Sequence, residues 1–188
     1  PMEYYLKYST ENPTGYKDTN EGYRRETELI NNAVSAISSQ ISAAGITEEQ
    51  IDTGGDEQVD AISFFIEGHD ILNSKISWGD ILWSHKTDNQ NITNKILGKR
   101  VVAYNLLYAY DYTQTAGLFS LKNGTYGTIL HEYGHTLGYS DLYRFGMSGK
   151  GEPVGYYDLM GTTLGSNPQD LLTYFISEYN RETNWHNP

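Results

Sequence analysis

The sequence predicts an α+β fold, and three observations lead there. One long segment carries apolar residues at helical spacing, several others are short β-prone apolar runs, and helices and strands mix without strict βαβ alternation. No internal repeat, long low-complexity tract or interdomain linker interrupts the chain, and 188 residues can bury a core without cross-links. One domain is expected.

The first twenty residues are rich in Tyr, Asn, Thr and Gly, and Tyr5 to Tyr8 predicts a short strand followed by loop. From Arg24 to Ala44, the residues Ile30, Ala33, Val34, Ile37, Ile41 and Ala44 recur three and four apart, with Gly45 as a C-terminal stop. This pattern predicts an amphipathic helix with one buried face. An acidic turn, Asp52 to Asp56, leads into Val59 to Gly68, a β-prone run that fits a buried central strand. Ile81 to His85 and Arg100 to Tyr110 are two further strand candidates, separated by the polar stretch Lys86 to Asn94. Gly127 to Gly138 places Ile129, Leu130, Tyr133 and Leu137 at helical spacing. Gly146 to Gly165 is loop-rich, and a last helix is expected over Pro168 to Tyr179, since proline is allowed in a first turn.

Charge and composition remove several function classes. A net charge of -11 repels polyanions, so nucleic acid is not an expected partner. With no cysteine there are no disulfides, thiolate metal sites or thiol nucleophiles, and any metal must be held by His and carboxylates. Cysteine content leaves the compartment open, and secretion is permitted. No stretch approaches a membrane span, and the start, Pro1 to Tyr4, has no basic region followed by an apolar one. The chain therefore reads as a soluble, mature or trimmed form, expected to be a monomer.

The chemistry is concentrated in His131-Glu132-Tyr133-Gly134-His135-Thr136-Leu137-Gly138-Tyr139-Ser140-Asp141. Histidines four residues apart on a helix share one face and can hold Zn²⁺ at about 2.0–2.1 Å, leaving room for a third ligand and a water. Glu132, one residue on, is placed to take that water's proton and return it to the departing amine. Gly138 can adopt the left-handed conformation that ends the helix, and the turn would carry Asp141 to the metal. An exposed histidine pair beside a surface Glu is the bland alternative, and the spaced Gly138 and Asp141 argue against it.

HEYGHTLGYSDLY at 131–143 resembles the zinc signature of the immune inhibitor A family of secreted bacterial metallopeptidases, relatives of the metzincins. Val59 to Gly68 and Asp80-Ile81-Leu82-Trp83-Ser84-His85 are similar to that family's strand and its Ile-Trp-Ser-His segment. Tyr157-Asp158-Leu159-Met160-Gly161 resembles its Asp-Leu-Met segment, and Thr173 to Trp185 its final helix, although Asn184 stands where the family has Gly. The resemblance runs from about residue 23 to 185 and covers the catalytic core only.

What it implies is a zincin or metzincin-like fold: a small mixed sheet, a backing helix and an active-site helix in an upper part (about 1–138), then a lower part (about 139–188). Met160 would be the Met-turn residue beneath the zinc, an assignment close to that of an ordinary core methionine. Zinc would be held by His131, His135 and Asp141, with Glu132 catalytic. Metzincins commonly place His where this chain has Asp141, so Asp158 and Glu152 stand as competitors for the third position.

Other features have plainer readings. Asp52 to Asp60 looks like half of a Ca²⁺ loop but lacks a bidentate Glu at the twelfth position, and a solvated polar turn is preferred. His69, His85 and His186 are expected to be surface or packing histidines, while Tyr156 or Tyr157 is a candidate phenol for an oxyanion. The leading function is an endopeptidase acting on protein or peptide substrates. Its rivals are a non-catalytic binding module, such as an adhesin or toxin subunit, and a zinc hydrolase acting on a non-peptide amide or ester.

Overall fold

A computed structural model of the protein describes residues 2–67, 80–109, 112–115, 118–121, 126–143 and 153–161. The elements form a mixed α+β chain in two compact units, Pro1–Tyr108 and Ala109–Pro188.

The first unit is organised by helix α1, Thr19–Ala43. It begins earlier than apolar periodicity predicts, because a capping pair starts it. The Asp18 carboxylate accepts the Glu21 amide at 2.9 Å, and the Glu21 carboxylate reaches back to the Lys17 amide at 2.8 Å. The first satisfies an amide that the first turn cannot pair internally, and the second ties down the residue before the cap. Ile30 and Val34 are fully buried and Ile37 and Ile41 pack against the same core, as the spacing requires. Helix α2, Glu48–Ile51, was not predicted, although Thr47 and Gln50 form a capping box around it.

Five strands follow: β1 Ser63–Glu67, β2 His85–Asp88, β3 Lys95–Ile96, β4 Lys99–Arg100 and β5 Ala103–Ala109. The sheet order is β1-β5-β2, with β2 antiparallel to β5 and His85 opposite Leu106. Among the described residues, then, Val59 to Gly68 supplies an edge strand and not the central one expected. Phe64 and Ile66 pack towards the core while the intervening Phe65 is 54% exposed, the alternation of a half-covered strand.

Three further expectations are corrected. Ile81 to Ser84 is a turn, closed by the Trp83 amide on the Asp80 carbonyl at 2.9 Å, because Ile81 and Leu82 are buried with Leu6 and Tyr16. Strand pairing starts only at His85. The run from Arg100 to Tyr110 is two strands, since Val101 turns into the core between β4 and β5 with no exposed surface. Residues Tyr5 to Tyr8 hold a 3-10 turn, Met2–Tyr5, and a single bridge from Lys7 to Tyr16.

Lys99, on β4, reaches the acidic segment after α2. Lys99 Nζ lies 3.1 Å from Asp52 and 2.9 Å from Glu57, and Asp52 also accepts the amides of Asp56 and Glu57 at 3.0 Å each. Asp60 accepts the amide and hydroxyl of Thr53 at 2.9 and 2.6 Å. A lysine and backbone amides hold this turn.

In the second unit, β6 Tyr112–Thr115 pairs antiparallel with β7 Leu118–Leu121. Two β-prone runs parted by Ala116-Gly117 carry the signal for this pairing in the sequence. Helix α3, Tyr126–Thr136, and a 3-10 turn, Gly155–Tyr157, complete the described elements. His69, Glu152, the predicted helix from Pro168 to Tyr179, Trp185 and His186 lie outside the described residues.

Candidate metal centre

Helix α3 carries His131, Glu132 and His135 on its inward side. Leu130, Tyr133 and Leu137, apolar at helical spacing, are each exposed by more than two fifths, whereas His131 and Glu132 are 5% and 7% exposed. Gly134 explains part of this. It lies between the histidines, and an added Cβ there would sit 2.7 Å from Met160 Sδ, so only glycine admits so close an approach.

The helix ends as its sequence predicts. Gly138 has φ +89°, in the left-handed region, and the Leu137, Gly138 and Tyr139 amides close on the last turn. The reversed chain returns Asp141 to the histidines. Its Oδ1 lies 3.0 Å from His131 Nε2 and 3.2 Å from His135 Nε2. The rings meet edge to face, 4.9 Å apart. These three residues form the one group of three or more potential metal ligands among the described residues, with their ligand atoms within 4.8 Å of one another.

Backbone carbonyls fix how the rings present themselves. His131 Nδ1 donates to the Leu159 carbonyl at 2.8 Å and His135 Nδ1 donates to the Tyr139 carbonyl at 2.7 Å. A carbonyl can only accept, so each Nδ1 carries a proton, and it is the Nε2 atom, facing Asp141, that each ring would present to a metal once its second proton is lost. Two imidazole nitrogens and a carboxylate oxygen converging in this way could hold a metal ion, and the carbonyls are the outer partners such ligands ordinarily have.

A tight turn supports the arrangement. The buried Asp158 accepts the Met160 amide at 2.6 Å, the Gly161 amide closes on the Asp158 carbonyl at 3.1 Å, and the Leu142 amide donates to the Met160 carbonyl at 2.7 Å. Residues 158–161 therefore hold both the first histidine and the segment bearing Asp141. Asp158, a competitor for the third position, is committed to this turn.

Without a metal the group is strongly coupled. Burial pulls the His131 and His135 pKa values down, but hydrogen bonds to Asp141 and to the carbonyls outweigh it and leave both above the usual value. Burial pushes Asp141 up, yet its hydrogen bonds from the two histidines and their charge hold it far below the usual carboxylate range. Glu132 adds negative charge beside both rings.

His85 is elsewhere, in the first unit, with Nε2 3.1 Å from the buried Glu26, which also accepts the Tyr104 hydroxyl at 2.6 Å. Of the phenols proposed for an oxyanion, Tyr157 is 87% exposed. A tyrosine that motif reading passed over, Tyr143, stacks on His131 instead. Burial first, then the Asp141 charge and their hydrogen bond, hold its phenol protonated well above the usual range.

Fold and site together describe a mixed α+β chain with a candidate metal centre, compatible with a peptidase domain. A model of the immune inhibitor A peptidase family, M6, catalytic domain, matches residues 55–182, more than half of the chain. The chain belongs to this family, as the resemblance implied. It is similar to Immune inhibitor A of Bacillus thuringiensis subsp. alesti, 27% identical over 190 residues, which cover 93% of this chain and 26% of the relative. The chain thus spans about a quarter of that relative's length. Among the described residues no helix is long and apolar enough to cross a membrane.

Proposed function

We propose that this chain is a zinc-dependent endopeptidase domain in which His131, His135 and Asp141 hold the metal and Glu132 is the general base and acid. The observation that carries the reading is the convergence of two Nε2 atoms and a carboxylate oxygen within 4.8 Å, with each Nδ1 occupied by a carbonyl. When bound, zinc would lower a water's pKa from about 15.7 towards 7 and polarise the scissile carbonyl.

The remaining work belongs to the side chains. Glu132 is buried beside His131 on the same helix, where little solvent competes for its proton traffic. It takes a proton from the attacking water and passes it to the departing amine, so the peptide bond breaks without releasing an unprotonated leaving group. Met160, fully buried against Gly134, forms the floor under the helix and is assigned as the Met-turn residue. The family match spans both units, which supports treating residues 1–188 as one catalytic domain. Protein or peptide chains are the substrates assigned, and secretion by a bacterium is the setting that the family suggests.

The test is Glu132→Ala, assayed on casein and on quenched peptides with and without a chelator. The variant is expected to keep stoichiometric zinc while losing about 10²–10⁴-fold in turnover. Full activity in the variant would remove Glu132 from this role, and absence of chelator-sensitive cleavage in the wild type would favour the non-catalytic binding module.

A further inference from the structure

We infer that Tyr143 is a positioning residue of the metal centre, its ring stacked on His131 and its phenol holding the Asp141 carboxylate. The inference rests on the metal-centre reading above.

Tyr143 touches two members of the three-residue group by two different kinds of contact. Its ring lies nearly parallel to the His131 imidazole, with centroids 6.1 Å apart and planes inclined by 22°. Its hydroxyl hydrogen-bonds Asp141, two residues earlier in the chain. The contacts are complementary. Stacking limits the tilt of the first imidazole, already tied at Nδ1 to Leu159. The hydroxyl limits rotation of a carboxylate whose Oδ1 both histidines approach.

Such control is needed at Asp141 more than at the histidines. Each histidine is fixed by the helix and by a carbonyl, whereas Asp141 stands past the helix end, after a left-handed glycine, with its backbone anchored through Leu142 to Met160. A short side chain with a freely turning carboxylate would share its oxygens among several directions. A donor on that carboxylate selects one, the role that outer partners play at metal ligands generally. Tyr143 is half-buried, which strengthens the bond relative to one in bulk water.

The experiment compares wild type, Tyr143→Phe and Tyr143→Ala in the 188-residue chain. Zinc dissociation constants are measured by competition with a chromophoric chelator, alongside visible spectra of the Co²⁺-loaded proteins and thermal midpoints of the demetallated ones. Tyr143→Phe keeps the ring and loses the donor. It is expected to weaken zinc binding by about 10–100-fold and to alter the Co²⁺ bands, with Tyr143→Ala at least as weak. Wild-type affinity and an unchanged Co²⁺ spectrum in Tyr143→Phe would overturn the inference. So would a fall in kcat at unchanged zinc affinity, which would make the phenol a transition-state donor. Wild-type protein that binds no zinc would overturn the metal-centre reading itself, and the inference with it.

Discussion

Gly138→Ala would test how the third ligand reaches the histidines. Gly138 has φ +89°, and an added Cβ would meet nothing within 4 Å, so alanine brings strain in the backbone and no clash. Left-handed backbone costs a residue with a Cβ about 1–2 kcal/mol. If the turn persists, that cost falls on stability, and at about 2–4 °C per kcal/mol for a chain of this size the thermal midpoint drops by about 2–8 °C. If the turn relaxes, Asp141 leaves the two Nε2 atoms, and the same free energy appears as a loss of about 5–30-fold in zinc affinity. Gly138→Asn, with a residue that tolerates the left-handed region better, should lose less on both counts. Scanning fluorimetry of the demetallated proteins and chelator competition read the two effects. Alanine matching wild type in both would refute the claim that this turn delivers the ligand.

Two further outcomes follow from packing and charge. In demetallated protein, His131 and His135 sit above their ordinary pKa, so their contribution to stability is fully present below about pH 6.5 and lost as pH rises through the folded values. Asp141 is held low, so its contribution is present above about pH 3.9 and lost as pH falls through its folded value. The stability gap between wild type and Asp141→Asn should therefore be widest between about pH 4 and 6.5 and narrow above, as read by thermal melts across pH; a flat gap would contradict the coupling. Leu106→Ala, at a position on β5 with no exposed surface, should cost about 2–5 kcal/mol in urea unfolding, and a loss below about 1 kcal/mol would place β5 outside the core.

What could be read in advance was local. His131 and His135 share a helix face because of the helical period, and Gly138 turns the chain because it lacks a Cβ. Ile30 and Val34 are buried at the spacing that predicted them. Where the reading failed, a distant partner decided. Ile81 and Leu82 look like strand residues, yet Leu6 and Tyr16 draw them into a turn.

The sequence by itself determined the helix, its two imidazoles, its stop and the carboxylate beyond, since each depends on neighbours within a few residues. The tertiary structure decided what those groups meet. Leu159 and Tyr139 supply the carbonyls that set both rings, Met160 fits against Gly134, and Tyr143 lies on His131. It also put Lys99 among the carboxylates of the 52–60 turn. The physical reason is that backbone carbonyls carry no residue signature and contacts a dozen or more positions apart leave no period in the chain, so only packing brings them together.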